Sequence, residues 1–567
     1  LDSSASGKLT AINTRNIEVG QEESAGIYSV NNSSQSSGQS VGINNKTISV
    51  TKSGSAAMIG EKSNLSNTST ASGEGIRLSS VKTAGIIGKL GSFVTNSGNI
   101  ETLSATPSGA TDGLVGISLN SSTGENTATG KIILGTEYST GIYVENVSTV
   151  ENKGDITANK KYAVGMAGKS STLTNSNTIT LKDENSTGIY GEGNSTLLNS
   201  GTITVEKASS VGLFAKENTS TTINIGTIKA SGNTSAGMYG EKSRIENSNS
   251  IVVEGTTSAG MYAKNTSAEN KNSISSTGTT SAGMLVEITE NNINANGDNI
   301  KTINITGDNS AGMLGKLSAV LSGPQLTLTN SDSININSST SVGIMIENAL
   351  GNNKDNLKGI NKGVITLDQS KIQNIGIFSD NATGINENEI RVKGKQSIGM
   401  LGKNGSSISN IANAIITLEE EKGIGMLSEG TNTVSTNSGT INVEGKESSG
   451  MLAKSFGKAN NENIIDIVGE KGVGIFVSDT GIGENKTSGT ITLKDKDTVG
   501  IFAKNNGNTY SAINSGNIIL DTLNSTKESL IGMFAQSESG EKASVKNSGV
   551  ITINTKKLVG MYGNNAT

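Results

Sequence analysis

The residues able to do chemistry are few, and their spacing works against them. The chain has 567 residues with no His, no Cys and no Trp. A Ser-His-Asp triad, a thiol nucleophile, a His-ligated metal and a Cys-ligated zinc are therefore excluded by composition. Residues 478–481 read Ser-Asp-Thr-Gly, which makes Asp479 a formal aspartic-protease candidate. That chemistry needs two carboxylates sharing a proton, and no second Asp-Thr-Gly exists. The stretch AVGMAGKS (163–170) resembles a phosphate-binding loop, but Ala163 stands where the first Gly is required. Carbohydrate cleavage needs clustered carboxylates with basic partners on one face. The four arginines, Arg15, Arg77, Arg244 and Arg391, are scattered, and the densest acidic run, Glu419 to Glu421, reads as a surface turn. The expectation is a protein that is not an enzyme and carries no cofactor or metal.

Charge and hydropathy narrow the partners. A net charge of -5 with so few arginines argues against nucleic acid. No run approaches about 20 apolar residues, so no helical membrane span and no direct membrane insertion of this segment are expected. The chain starts at Leu1 without a signal-like segment, and neither end reads as a cap, so it is expected to be a piece of something longer.

What must position any site is a repeat. SAGMYGEKSRIENSNSIVVEGTT (235–257) is followed by SAGMYAKNTSAENKNSISSTGTT (258–280). The motif is a small or aliphatic pair, Gly, Ile or Met, then Tyr, Phe or Leu. It recurs 21 times from Gly26 to Gly560, once with Ala57 in the Gly slot, and mostly 23 to 26 residues apart. Upstream stands an Asn followed by alternating apolar residues, as in NSGTITV (199–205) and NSGVITI (547–553). In most copies this Asn lies 13 residues before the Gly, as with Asn152 and Gly165 or Asn461 and Gly474. Period-two alternation over four to seven residues, bounded by Asn, Gly and Ser, predicts short strands, and no window sustains a 3.6-residue period. Such a unit cannot bury its apolar face alone, so neighbours must stack. The two arrangements to weigh are a parallel coil stack and hairpin-based blades.

The slot four residues after the Gly decides between them. It reads Glu145, Lys169, Glu192, Lys216, Glu241, Lys264, Glu287, Lys316, Glu347, alternating in sign through nine copies. Equivalent residues of stacked coils lie about 4.8 Å apart, and opposite charges facing across strands are favoured there. The predicted fold is all-β: a single continuous parallel β-helix over 1–567, about 21 coils of 23–33 residues. The slot after the Gly holds eleven of the twelve Met residues and reads as a core column. The next slot collects 11 of the 16 aromatics. Either it is a half-exposed ladder, or the chain bends at the Gly and both slots face inward. The Gly is expected to supply positive φ or close backbone approach, and the Asn a left-handed turn that bonds neighbouring backbone.

Recognition on solenoids usually sits on interrupting loops. Spacing widens at 31–50, 101–113, 286–309, 317–330, 347–361 and 520–530, which contain Pro107 and Pro324. Among aromatics outside the column, Tyr138 and Tyr162 stand three before consecutive repeat glycines and could pair on one face. These four, with Phe456 and Tyr510, are the candidate binding residues.

Tracts such as NSGTITVEKASSVGLFAK (199–216) and NSNSIVVEGTTSAGMYAK (247–264) resemble the passenger region of the large type V autotransporter adhesins of fusobacteria, as does the Lys-, Asn- and Ile-rich, Arg-poor bias. The resemblance implies a right-handed β-helix displayed at the cell surface and tethered to the outer membrane through a C-terminal barrel. It implies attachment to host cells or coaggregation. The partners would be a galactose- or N-acetylgalactosamine-type surface glycan, a host receptor protein or a partner bacterial surface. A bare stalk for a tip elsewhere, or a glycan-degrading enzyme, are the alternatives.

Overall fold

The computed structural model describes residues 9–31, 40–103, 105–217, 221–505, 511–521, 529–538, 542–554, 556 and 558–565. They form 63 strands and two short 3-10 turns, Ala110–Asp112 and Lys354–Asn356. The strands wind right-handedly through about 19 turns of a parallel β-solenoid. Each of the 21 motif copies does supply a strand, from Ala25–Val30 to Val559–Asn565. The residues gather into two compact units of like construction, Leu1–Ile274 and Ser275–Thr567.

One coil shows the plan. The strand Thr140–Glu145 carries the Gly motif, Thr149–Asn152 ends on the repeated Asn, and Asp155–Ala158 follows. We call the three faces the glycine, asparagine and threonine sheets. Each strand pairs in parallel with its counterpart one coil on: Thr140 with Val164, Asn152 with Asn175, Ile156 with Ile179. The second unit repeats this with Ile398–Lys403, Ser407–Asn410 and Ile415–Leu418.

The interior is columnar. Ile142, Met166 and Ile189 stack in register and are fully buried, as are Met400, Met426 and Met451. Burying such a side chain contributes about 1.5–3 kcal/mol, so the core is the sum of many identical small layers.

The repeat glycines are used for space, not for a left-handed backbone. None of them has positive φ. A Cβ on Gly141 would lie 2.5 Å from the carbonyl oxygen of Gly165 and 3.1 Å from Ile156 Cγ2. Gly and the aliphatic residue after it both face inward, which breaks the alternation and leaves the aromatic slot half-exposed. The left-handed turn stands three residues earlier, in 18 copies with a non-glycine residue.

The repeated Asn differs from expectation as well. It has no positive φ; it is the last, inward-facing residue of the asparagine sheet and sits fully buried from Asn44 to Asn270. Its Nδ2 donates to Oδ1 of the Asn in the next coil. Ten such bonds of 2.7–2.9 Å run unbroken from Asn13 to Asn270. Nine bonds of 2.8 Å run from Asn299 to Asn547. The expected backbone contact is present too, as in Asn175 to the Asn177 carbonyl at 2.9 Å.

The other two corners carry serine ladders. The Ser186 N–H donates to Ser210 Oγ at 3.2 Å, and Ser210 and Ser235 continue the row. On the opposite side of the glycine sheet, Ser92, Ser122, Ser148 and Ser171 each donate a backbone N–H to the next coil's serine at 3.1–3.3 Å. Each corner thus satisfies buried backbone groups with a small polar side chain.

Three of the widened segments are loops only in part, at 289–293, 318–324 and 349–356. In 286–309, 317–330 and 347–361 the strands lengthen and stay in register: Ile288 pairs Leu317, Ala295 pairs Leu326, and Leu326 pairs Leu357. The coil grows wider and keeps its pairing. Residues 32–39 and 522–528, within two other widened segments, lie outside the described residues.

Candidate functional site

Tyr138 and Tyr162 occupy the left-handed slot, with φ of 55° and 59°. In the other 16 copies with a non-glycine residue there, that slot holds a polar one: Glu, Lys, Asn, Ser, Thr, Gln or Asp. The backbone conformation is that of the repeat, and the aromatic side chain is what sets these two coils apart. The backbone contacts are cross-coil: the Tyr138 N–H donates to the Lys161 carbonyl at 3.4 Å and the Tyr162 N–H to that of Glu184 at 3.1 Å. The rings stack face to face, centroids 4.7 Å apart and 6° from parallel. Tyr162 remains 38% exposed.

Charged groups frame the stack. Lys161 Nζ lies 5.6 Å from the Tyr162 ring centre and 3.7 Å from Glu137 Oε1. Beside them a surface cavity of about 380 Å³ is lined by Ala105, Thr106, Pro107, Gly135, Thr136, Glu137 and Lys160. Pro107 thus shares the cavity with Glu137 and Lys160, the neighbours in sequence of Tyr138 and Lys161, at the corner between the threonine and glycine sheets. A stacked aromatic surface, a proline and groups of both charges can hold a ligand with an apolar face and a polar rim.

The remaining candidates lie apart from it. Phe456 is 59% exposed in a turn with φ of 68°. Pro324 is buried, immediately before the strand Gln325–Asn330, where a missing N–H is harmless. Tyr510 lies outside the described residues.

The charge column is in register. Glu145 pairs Lys169, Lys169 pairs Glu192, Glu192 pairs Lys216, Lys216 pairs Glu241 and Glu241 pairs Lys264. In the second unit Glu287, Lys316 and Glu347 follow one another. Ion pairs close at 3.4 Å between Lys169 and Glu192 and at 3.2 Å between Lys264 and Glu241. Beyond the break at Asp380, Glu429 is clasped by Lys403 at 3.5 Å and Lys454 at 3.2 Å. Partial burial works against the Glu429 carboxylate, yet the two lysines hold its pKa below the ordinary range.

The aromatic column runs beside these charges. Phe214, Tyr239 and Tyr262 stack at 4.7 and 4.8 Å, and Phe476, Phe502 and Phe534 at 5.0 Å. Tyr143 donates to Glu145 at 3.0 Å; burial first, then this bond, pushes its phenol up to about 12. Tyr190 donates to Glu192 at 2.9 Å and is raised for the same reasons.

The residues that formally resembled catalytic motifs lie in turns and strands of the repeat. Asp479 sits in a turn with φ of 46°, and Gly165 and Lys169 belong to the strand Val164–Lys169. Glu419 and Glu421 pair with Lys393 at 3.7 Å and Lys395 at 3.2 Å. Arg77 bonds the Gly73 carbonyl at 3.1 Å, Arg391 forks onto Glu389 and Arg244 pairs with Glu269. Among the described residues no cluster of three or more carboxylates could hold a metal ion, and no helix is long and apolar enough to cross a membrane.

Residues 184–244 and 473–567 match the family model described as the BigA third pectate lyase-like domain. The match suggests a BigA-like, autotransporter-type passenger and a surface-exposed bacterial protein. It leaves most of the chain unmatched. No curated protein and no solved structure matches the chain.

Proposed function

We propose that this chain is a segment of a surface-displayed autotransporter adhesin that attaches the bacterium to host cells or to other bacteria by non-covalent binding. It is not an enzyme, and it is tethered to the outer membrane through a barrel outside this segment. Its partner is a surface glycan of the galactose or N-acetylgalactosamine type, a host receptor protein or a partner bacterial surface. The binding corner is that of Tyr138, Tyr162 and Pro107. The observation that carries this reading is the aromatic pair in a backbone slot that every other coil fills with small or polar residues. The solenoid and the match to a BigA-like domain support the class of protein.

A second reading is favoured by the ladders. Polar columns that run from coil to coil are what a stiff stalk requires, and a stalk needs no site of its own. The two readings separate in one experiment. Added at saturating concentration, the purified chain should block coaggregation or host-cell attachment, and Tyr138→Ala with Tyr162→Ala should weaken the block about tenfold or more. Failure to block at all assigns the chain to the stalk. Release of reducing or unsaturated sugar ends from polysaccharide would overturn the non-enzyme reading.

A further inference from the structure

Two tyrosine pairs have a chemistry that adhesion does not use. Among the described residues, tyrosines of successive coils stack ring on ring in two places: Tyr138 on Tyr162 at 4.7 Å, and Tyr239 on Tyr262 at 4.8 Å and 17° from parallel. All four are partly open to solvent. We propose that these pairs are sites of oxidative dityrosine coupling, which would staple neighbouring coils covalently.

The geometry favours coupling within a pair. Tyr239 and Tyr262 are direct register partners on adjacent strands, and the left-handed turns at 138 and 162 hold those two rings face to face. In a near-parallel stack the carbons ortho to the two hydroxyls face one another, so pivoting about the Cβ atoms brings them into contact. Each phenol gives up one electron and its hydroxyl proton. The two phenoxyl radicals join ortho carbon to ortho carbon, and the two ring hydrogens at the new bond return to the oxygens by tautomerisation. The two electrons and two protons released reduce one hydrogen peroxide to two waters through a haem peroxidase, the oxidant this step requires. The product closes a loop one coil long, and a cross-link of that kind restricts the unfolded chain as a disulfide does. This chain has no cysteine with which to make the ordinary staple.

The same sheet contains its own control. Tyr143 and Tyr190 are separated by Ala167, the register partner of both, which puts them two coils and about 9.6 Å apart. Tyr28 faces Ile59, and Tyr562 faces Phe534. None of these should couple within the chain.

The test is to treat the purified chain, dilute enough to stay monomeric, with a haem peroxidase and hydrogen peroxide, and to map cross-linked peptides by mass spectrometry. The expected result is dityrosine fluorescence in the monomer, with linked peptides two hydrogens lighter that join 138 to 162 and 239 to 262. Tyr162→Phe with Tyr262→Phe, which keeps both stacks, should abolish that fluorescence while leaving the circular dichroism spectrum unchanged. Coupling of Tyr143 to Tyr190, cross-links only between molecules, or no cross-link at all would overturn the proposal. The mapping on the unaltered chain decides it even if the variant folds poorly.

Discussion

A buried asparagine that passes a hydrogen bond to its like is the residue on which this fold turns. Asn175 accepts from Asn152 and donates to Asn199, both at 2.8 Å. Replacing it strands a buried donor on one side and a buried acceptor on the other, each costing about 1–3 kcal/mol. Asn175→Ala should therefore lower stability by about 2–5 kcal/mol, read as the denaturation midpoint. Glycine offers a cleaner contrast. Gly141→Ala drives a methyl to 2.5 Å from a backbone oxygen, whereas a Cβ at Gly109 meets nothing within 4 Å. The first should destabilise by about 3 kcal/mol or more and the second by less than about 0.5. Titration gives a further residue-scale outcome. The Tyr143 phenol is raised above its unfolded value, so its contribution is fully present below about pH 10 and is lost as pH rises through about 12. Tyr143→Phe should blunt alkaline unfolding in that window. The carboxylates of Glu246 and Glu429 are lowered instead, so theirs is present above the unfolded carboxylate value and fades as pH falls through the folded one.

At the scale of the strand and corner, most of the architecture was legible in the sequence. The alternating signs from Glu145 onward fixed parallel stacking and register, because only facing residues make such alternation favourable. Lys264→Glu should cost a few tenths to about 1 kcal/mol by setting like charges beside Glu241, and Lys354→Glu, in the 3-10 turn, less. Thermal melts of the two variants make the comparison. The corners were less legible. A turn-type residue such as Asn reads from sequence as a left-handed turn, but only burial distinguishes that from an inward ladder. The residue two before the Gly is Ser in twelve of the 21 copies, Ser186, Ser210 and Ser235 among them, so a signal existed. The wider coils at 286–309 and 317–330 were read as loops because spacing alone cannot tell a loop from a longer strand. At the candidate site, position three before the Gly pointed to Tyr138 and Tyr162. The cavity that Pro107 shares with Glu137 and Lys160 depends on loop packing no pattern encodes.

For the molecule as a whole, stability is a sum over coils and their interfaces. Removing one complete coil, residues 188–211, should leave a folded solenoid, yet it would set Lys169 beside Lys216. Removing two, residues 188–236, restores opposite signs by placing Lys169 beside Glu241. The two-coil deletion should therefore melt at or above the one-coil deletion despite its smaller size.

The central claim is that equivalent positions of neighbouring coils lie directly over one another. Thr180 and Thr204 are facing register partners on the outer side of the threonine sheet, and a cysteine-free chain allows the claim to be tested with disulfides. Thr180→Cys combined with Thr204→Cys should oxidise readily to an intramolecular disulfide, because facing Cα atoms at about 4.8 Å fall within reach. Thr180→Cys with Thr202→Cys, offset by two residues, should not. Fast bonding of the offset pair, or of neither, would contradict the stacking from which the rest follows.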